Sequence, residues 1–190
     1  MNYLDIFLKE ANKYPEFEEA KEIVKKNSQG NIWLIGGFIY RNIVAGLYGK
    51  EKPKIDLDFI VENPNESFDL PKDWIVSKSR MGSPKLIGPN YDIDFVPLNN
   101  IYSVKKFNLE PTLQTFLSTT PLNIQSIVYD INKNKLIGEK GIWAIENKLI
   151  IPTENKEIMD YVKEKKEMPF LNYLTKYANE LGFDYFLPKK

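Results

Sequence analysis

Two short segments repeat one pattern, an aspartate, an apolar residue and a second aspartate followed by apolar residues, at positions 56–61 and 92–96. Successive side chains of a β-strand point to opposite faces of the sheet, so the two aspartates of each pair would lie on the same face. Close carboxylates repel each other unless a cation lies between them. The pattern therefore predicts two strands, each with an acidic face that needs a cation or solvent.

The first pair, Asp56 and Asp58, is the main candidate for a metal site that binds Mg²⁺ or Mn²⁺. Mg²⁺ is often held by one or two carboxylates together with substrate phosphates. Asp92 or Asp94 would complete the site if the two strands are neighbours, and such a group of carboxylates can support two-metal phosphoryl transfer. An isolated Asp-x-Asp pair is more often a solvated strand face, but its repetition within apolar runs favours a site.

A pair of glycines, Gly36 and Gly37, follows the apolar run 32–35 and directly precedes a helical pattern over 38–48. Glycines at such a junction let the backbone approach an anion, and the helix N-terminus offers free N–H groups to phosphate. Arg41 lies about one turn into this helix and is one of two arginines in the chain, with Arg80. Because a guanidinium binds phosphate oxygens at two points, Gly36, Gly37 and Arg41 are predicted to bind nucleotide phosphates. The alternative is a tight turn beside a surface arginine.

The order of the patterns is helices, a strand, a helix, then strands and hairpins, and finally helices. Among them are a strand over 55–61 that ends at the turn residues 63–65 and a hairpin around residues 88–90. This order predicts an α+β fold with a mixed sheet flanked by helices, rather than a regularly alternating α/β fold. Residues 1–30 are predicted as helices closed by Gly30, and 153–190 as two helices separated near Pro169. A length of 190 residues suits one domain.

Apolar side chains recur at helical spacing along both predicted C-terminal helices. We expect them to pack against the rest of the fold rather than to form a binding surface. The residues are Ile158, Met159, Tyr161, Val162, Phe170, Leu171, Leu174 and Tyr177.

The amino-acid composition excludes several kinds of catalytic and metal site. Cysteine and histidine are both absent, which excludes thiolate metal sites and nucleophiles, histidine bases and the usual zinc ligands. Lys+Arg and Asp+Glu both number 26, so the chain lacks an overall basic footprint for nucleic acid, although a local patch stays open. No signal peptide and no membrane span are evident, so a cytoplasmic protein is expected. The oligomeric state is not indicated.

The segment 35–42 together with Asp56-Leu57-Asp58 resembles the head domain of class II CCA-adding enzymes and bacterial poly(A) polymerases, members of the nucleotidyltransferase superfamily. Weaker similarity at 81–86, 91–94, 122–130 and 141–148 extends the resemblance over roughly 32–151. It implies metal-binding, catalytic carboxylates at Asp56 and Asp58, with Asp92 preferred to Asp94 as the third.

The sequence also differs from the family pattern at several positions. Asn42 stands where the family usually has aspartate, and Thr119-Thr120-Pro121 align with an Arg-Arg-Asp motif that contacts the nucleotide. No arginine follows Arg80, so the helix that selects the base is not visible, and residues 152–190 leave no room for the family's helical RNA-binding part. The resemblance therefore implies the fold and the metal centre, but neither the base nor a tRNA acceptor.

Two functions follow from these observations. The first is transfer of a nucleoside monophosphate from a nucleoside triphosphate, such as ATP, to an acceptor hydroxyl of RNA, protein or a small molecule, with release of pyrophosphate. The glycine pair and Asp-x-Asp also resemble antibiotic nucleotidyltransferases, and the zero net charge favours a small acceptor over a large RNA. The second is a non-catalytic nucleotide-binding or regulatory module on the same fold.

Overall fold

A seven-stranded mixed sheet organises the chain, in the order β3-β4-β5-β2-β1-β6-β7. The computed structural model describes residues 1–51, 53–79 and 81–187. The strands are β1 (Ser28–Ile35), β2 (Leu57–Pro64), β3 (Ile75–Lys78), β4 (Pro84–Ile87), β5 (Asp92–Pro97), β6 (Val128–Asp130) and β7 (Lys135–Ile137). A separate parallel pair consists of β8 (Leu149–Ile150) and β9 (Asp184–Tyr185).

Helices flank this sheet at both ends of the chain and between its strands, which confirms the predicted α+β class. They are α1 (Tyr3–Ala11), α2 (Pro15–Lys26), α3 (Gly37–Tyr48), α4 (Tyr102–Phe107), α5 (Leu113–Ser118), α6 (Glu139–Asn147), α7 (Lys156–Lys166) and α8 (Phe170–Leu181). In the described part of the chain, none of these helices has the length and hydropathy needed to cross a bilayer.

The strand pairings place the two acidic strands side by side. β2 pairs with β1 in antiparallel fashion and with β5 in parallel fashion, so β2 and β5 are central neighbours. β4 and β5 form the predicted hairpin around residues 88–90. The two acidic strands are therefore adjacent, as the prediction of a shared acidic site requires.

The two faces of the sheet bury different clusters. One face packs the large core with α1, α2 and α3, including Phe7, Phe17, Phe38 and Phe59, each fully buried. The opposite face carries a smaller cluster that contains Trp33 and Ile60. Side chains alternate along a strand, so Asp58, two positions from Ile60, belongs to this second face. The acidic face is therefore the sparsely covered side of the sheet, where a cavity can form.

The predicted end of the second helix at Gly30 is wrong. Gly30 does not cap α2, which ends at Lys26 with Asn27 as its C-cap. Instead Gly30 lies in β1 with φ +81°, where the pairing with β2 is irregular between Gln29 and Ile32. A glycine that permits positive φ marks a helix end or a bulge equally well, so sequence alone did not separate the two.

The C-terminal helices pack as predicted. Ile158, Val162 and Leu174 are buried, with exposures of 3%, 4% and 0%, whereas Leu171 is 47% exposed. The helices separate at Pro169, the residue before α8 begins. The predicted packing against the fold is thus confirmed for the buried residues of these apolar stripes.

Candidate active site

The glycine pair lies at the predicted strand-to-helix turn, with β1 ending at Ile35 and α3 beginning at Gly37. Gly36 has φ +80° and ψ −161°, a backbone conformation that is essentially restricted to glycine. A Cβ at position 36 would lie 2.5 Å from Oδ2 of Asp58. Glycine is therefore needed here both for the turn and for the close approach of the acidic strand.

Arg41 folds back over the start of its own helix. Its guanidinium fills the space that a Cβ at Gly37 would occupy. The Nε group donates a hydrogen bond to Oε1 of Glu180 on α8, and Nη2 donates to Oε2 at 3.5 Å. The guanidinium also lies over the rings of Tyr40 and Tyr177, at 5.3 and 5.8 Å from their centroids. Arg41 thus lines the predicted phosphate site but is ion-paired within the protein.

The carboxylates that converge are Asp56, Asp58 and Asp94, all of which line one cavity. The parallel register of β2 and β5 places Asp58 directly opposite Asp94. Asp92 lies on the same strand face but outside this lining, and its Oδ2 forms an ion pair with Nζ of Lys85 at 3.0 Å. The geometry therefore favours Asp94, the predicted alternative, over Asp92 as the third carboxylate.

The electrostatics of Asp58 reflect this crowding. Burial raises the pKa of Asp58 from 3.8 to about 8, with further increases from the charges of Asp56 and Asp94. The positive charge of Lys165 on α7 opposes the rise. At neutral pH the protonated form of Asp58 is therefore favoured unless a cation lies beside its carboxylate.

The cavity has a volume of about 500 Å³, within the range of small-molecule sites. Its lining combines the acidic sheet face, the Gly36-Gly37 turn with Arg41, and residues of α4, α7 and α8. Sequence reasoning did not assign several lining residues to a site: Tyr40, Tyr102, Gln125, Tyr161, Lys165, Lys166, Tyr173 and Tyr177. Tyrosines at inward positions of helical stripes were a usable signal, because a buried tyrosine hydroxyl usually needs a polar partner.

No family model matches the sequence, and no curated protein matches it either. Solved structures do match. A CCA-adding enzyme in complex with ATP superposes with a TM-score of 0.66 at 15% identity, over 98% of this chain and 42% of the enzyme. The Bacillus stearothermophilus CCA-adding enzyme in complex with CTP gives a TM-score of 0.62 at 19% identity, over 91% and 41% of the two chains. The Thermotoga maritima CCA-adding enzyme complexed with tRNA gives 0.55 at 14% identity, over 96% and 46%.

The chain shares its fold with CCA-adding enzymes. The resemblance predicted from the glycine and aspartate motifs is thereby confirmed at the level of fold. The chain spans less than half the length of each of these enzymes.

The structure also shows where the residues that differ from the CCA-adding pattern lie. Residues 119–121 line the cavity, as expected of the segment aligned with Arg-Arg-Asp. The Thr119 hydroxyl donates to the Thr115 carbonyl at 2.7 Å and lies 2.6 Å from the Ser103 hydroxyl. This segment is therefore held by bonds within the protein and supplies no charge to the cavity.

Asn42 is fully buried, and its Nδ2 donates to the Phe38 carbonyl at 2.7 Å, while its Oδ1 has no hydrogen-bond partner. It does not line the cavity among the residues described there. Arg80, the second arginine, lies outside the described residues.

Proposed function

We propose that this chain is a metal-dependent nucleotidyltransferase that transfers a nucleoside monophosphate from a nucleoside triphosphate to an acceptor hydroxyl and releases pyrophosphate. The observation that carries the proposal is the meeting, in one cavity, of the Gly36-Gly37 turn with Asp56, Asp58 and Asp94. A helix N-terminus that offers N–H groups beside a set of carboxylates suits a triphosphate together with its cation.

The carboxylates fit a divalent ion of the Mg²⁺ or Mn²⁺ type. Burial, and then the charges of Asp56 and Asp94, raise the pKa of Asp58, and a cation between these carboxylates would relieve their repulsion. Within the described ranges, no group of three or more acidic side chains is arranged so that it could hold a metal ion by itself. Asp58 and Asp94, with Asp56, would therefore hold the ion together with triphosphate oxygens, as Mg²⁺ sites commonly do. A divalent ion bound there supplies charge neutralisation for the triphosphate and lowers the pKa of an acceptor hydroxyl.

The remaining residues have roles in binding. The backbone N–H groups at Gly36 and Gly37 begin a helix of 12 residues and would bind phosphate oxygens. Arg41, beside them, would add a two-point contact to a phosphate. The acceptor is an RNA, a protein or a small molecule, and the zero net charge of the chain favours a small one.

The test is transfer chemistry with matched aspartate variants. The full chain is incubated with each nucleoside triphosphate, Mg²⁺ or Mn²⁺ and a panel of acceptors, and pyrophosphate release and labelled product are measured. Asp58→Asn and Asp94→Asn should abolish both signals, whereas Asp92→Asn, which changes an exposed residue paired with Lys85, should retain them. Activity that survives Asp58→Asn would contradict the proposal.

A second candidate is a nucleotide-binding module without transferase activity. It is favoured by the uncharged residues 119–121 in the cavity wall and by the pairing of Arg41 with Glu180. This function predicts that a nucleotide with Mg²⁺ raises the melting temperature, that Asp58→Asn removes this rise, and that no acceptor in the panel leads to pyrophosphate release.

A further inference from the structure

Few cationic side chains line the cavity. Among the described residues that line it, the cationic side chains are Arg41, Lys165 and Lys166. Arg41 is already ion-paired with Glu180. The sheet and residues 119–121 contribute only acidic or neutral groups to the wall. A bound triphosphate would therefore need cations from α7, a helix outside the predicted family resemblance over 32–151.

Lys165 is placed to meet this need. It lies in the last turn of α7, one turn after Tyr161, and its Nζ is 5.6 Å from the centroid of the Tyr161 ring. That ring stacks on Tyr102 of α4, with centroids 3.3 Å apart, so the two helices meet at the cavity wall. Ile158 and Val162, at 3% and 4% exposure, fix the same face of α7 against the fold.

Lys165 lines the same cavity as Asp56, Asp58 and Asp94. Yet in the ranges that the structure describes, no carboxylate oxygen lies within 4.0 Å of its Nζ, as the ion pairs found there show. The ammonium group is thus near the carboxylates but is not committed to any one of them.

We propose that Lys165 binds the triphosphate of the nucleotide substrate and supplies, from a C-terminal helix, the positive charge that residues 119–121 lack. This inference rests on the proposed function, because it assigns a residue to the same nucleotide site. A lysine serves as a mobile point charge toward phosphate, in contrast to the fixed two-point geometry of Arg41. The contact would recognise the triphosphate of the substrate and would not depend on which base the nucleotide carries.

The experiment compares Lys165→Gln with Lys163→Gln on the full chain. Lys163 belongs to the same helix and is exposed, but it does not line the cavity, so the control loses the same charge at a different face. Mg²⁺-ATP, Mg²⁺-CTP and AMP are titrated by calorimetry into each protein. Lys165→Gln should weaken triphosphate binding about tenfold, the usual effect of losing one charge-assisted contact, and should leave AMP binding unchanged.

Lys165→Arg, which keeps the charge, should restore most of the affinity and also serves if the glutamine variant folds poorly. Equal triphosphate affinities for the wild type, Lys165→Gln and Lys163→Gln would overturn the role of Lys165 and leave the proposed function standing. An equal loss of AMP and triphosphate binding would overturn the assignment to the triphosphate. A wild-type protein that binds no nucleoside triphosphate with Mg²⁺ or Mn²⁺ would overturn both proposals.

Discussion

The crowding of carboxylates around Asp58 makes a quantitative prediction about stability. Its pKa in the folded protein is about 8, against 3.8 for an ordinary aspartate. The folded state therefore holds a proton that the unfolded chain releases near pH 4. Between these two values the folded protein binds more protons than the unfolded protein, so its stability falls as the pH rises. Above about pH 8 both states are ionised at this position, and the loss of stability is complete.

Asp58→Asn removes this dependence, because an asparagine does not titrate. One proton changes the free energy of unfolding by at most about 1.4 kcal/mol per pH unit, and the slope flattens near the folded pKa. From pH 6 to pH 8 the metal-free variant should therefore gain about 2 kcal/mol relative to the wild type. For a chain of this size that corresponds to about 4–8 °C in melting temperature. Burial sets most of the effect, and the charged groups that act on Asp58 are Asp56, which directly precedes β2, Asp94 of β5 and Lys165 of α7.

The assay is denaturant unfolding in EDTA at pH 6, 7 and 8, for the wild type, Asp58→Asn and Asp92→Asn. The control removes a carboxylate of β5 that is exposed and paired with Lys85, so its offset from the wild type should stay constant over this range. Adding Mg²⁺ and a nucleotide should stabilise the wild type most at pH 8. A difference between Asp58→Asn and the wild type that does not change with pH would refute the reasoning.

Four further substitutions, one of them a control, test the turn and Arg41. Gly36→Ala imposes a side chain at φ +80° and 2.5 Å from Oδ2 of Asp58, so it should cost about 1–3 kcal/mol in unfolding experiments and abolish the thermal shift with Mg²⁺-nucleotide. Gly49→Ala is its control, since Gly49 has φ +65° with nothing within 4 Å of a Cβ, and it should lower stability but keep the thermal shift. Arg41→Lys should weaken nucleotide binding about thirtyfold, or about 2 kcal/mol, in calorimetric titrations, and unchanged affinity would leave Arg41 as a partner of Glu180 alone. Glu180→Gln should strengthen triphosphate binding several-fold because it releases Arg41, whereas weaker binding would show that Glu180 orients the guanidinium.

Much of the fold was predictable because local patterns and tertiary structure agree. The run at 32–35 with its glycines predicted the β1–α3 turn, and residues 88–90 predicted the β4–β5 hairpin. Boundaries failed where a residue type serves two purposes. Pro64, read as part of a turn, is the last residue of β2, and Gly30, read as a cap, lies in β1. In each case pairing with a distant strand decided the outcome, and such pairing is not encoded in a short window.

The candidate site was predictable by residue type but not by register. Spacing identified both acidic pairs, and strand alternation correctly placed Asp92 and Asp94 on one face of β5. Asp56 precedes β2 rather than belonging to it, although it lines the same cavity as Asp58. Which member of the second pair faces Asp58 depends on how β2 aligns with β5, two parallel strands whose paired residues, such as Asp58 and Asp94, are 36 positions apart in sequence. A shift of two residues leaves the face unchanged and exchanges Asp92 for Asp94, so no hydrophobic pattern distinguishes the two registers.

For the C-terminal helices, the sequence predicted the packing but not the contribution to the cavity. From the sequence, α7 and α8 were amphipathic helices with packing as their expected role, and the single-domain organisation of 1–190 stays a prediction. In the structure, the apolar residues of α7 and α8 do pack, and neighbouring positions on the same helices bring Lys165, Tyr177 and Glu180 to the cavity and to Arg41. Superposition on a CCA-adding enzyme covers 98% of the chain, so these helices belong to the shared fold rather than to an appendage. Arg41 forms an ion pair with Glu180 of α8, and the charge of Lys165 on α7 lowers the pKa of Asp58. Changes in the C-terminal helices should therefore alter nucleotide binding as directly as changes in the glycine turn.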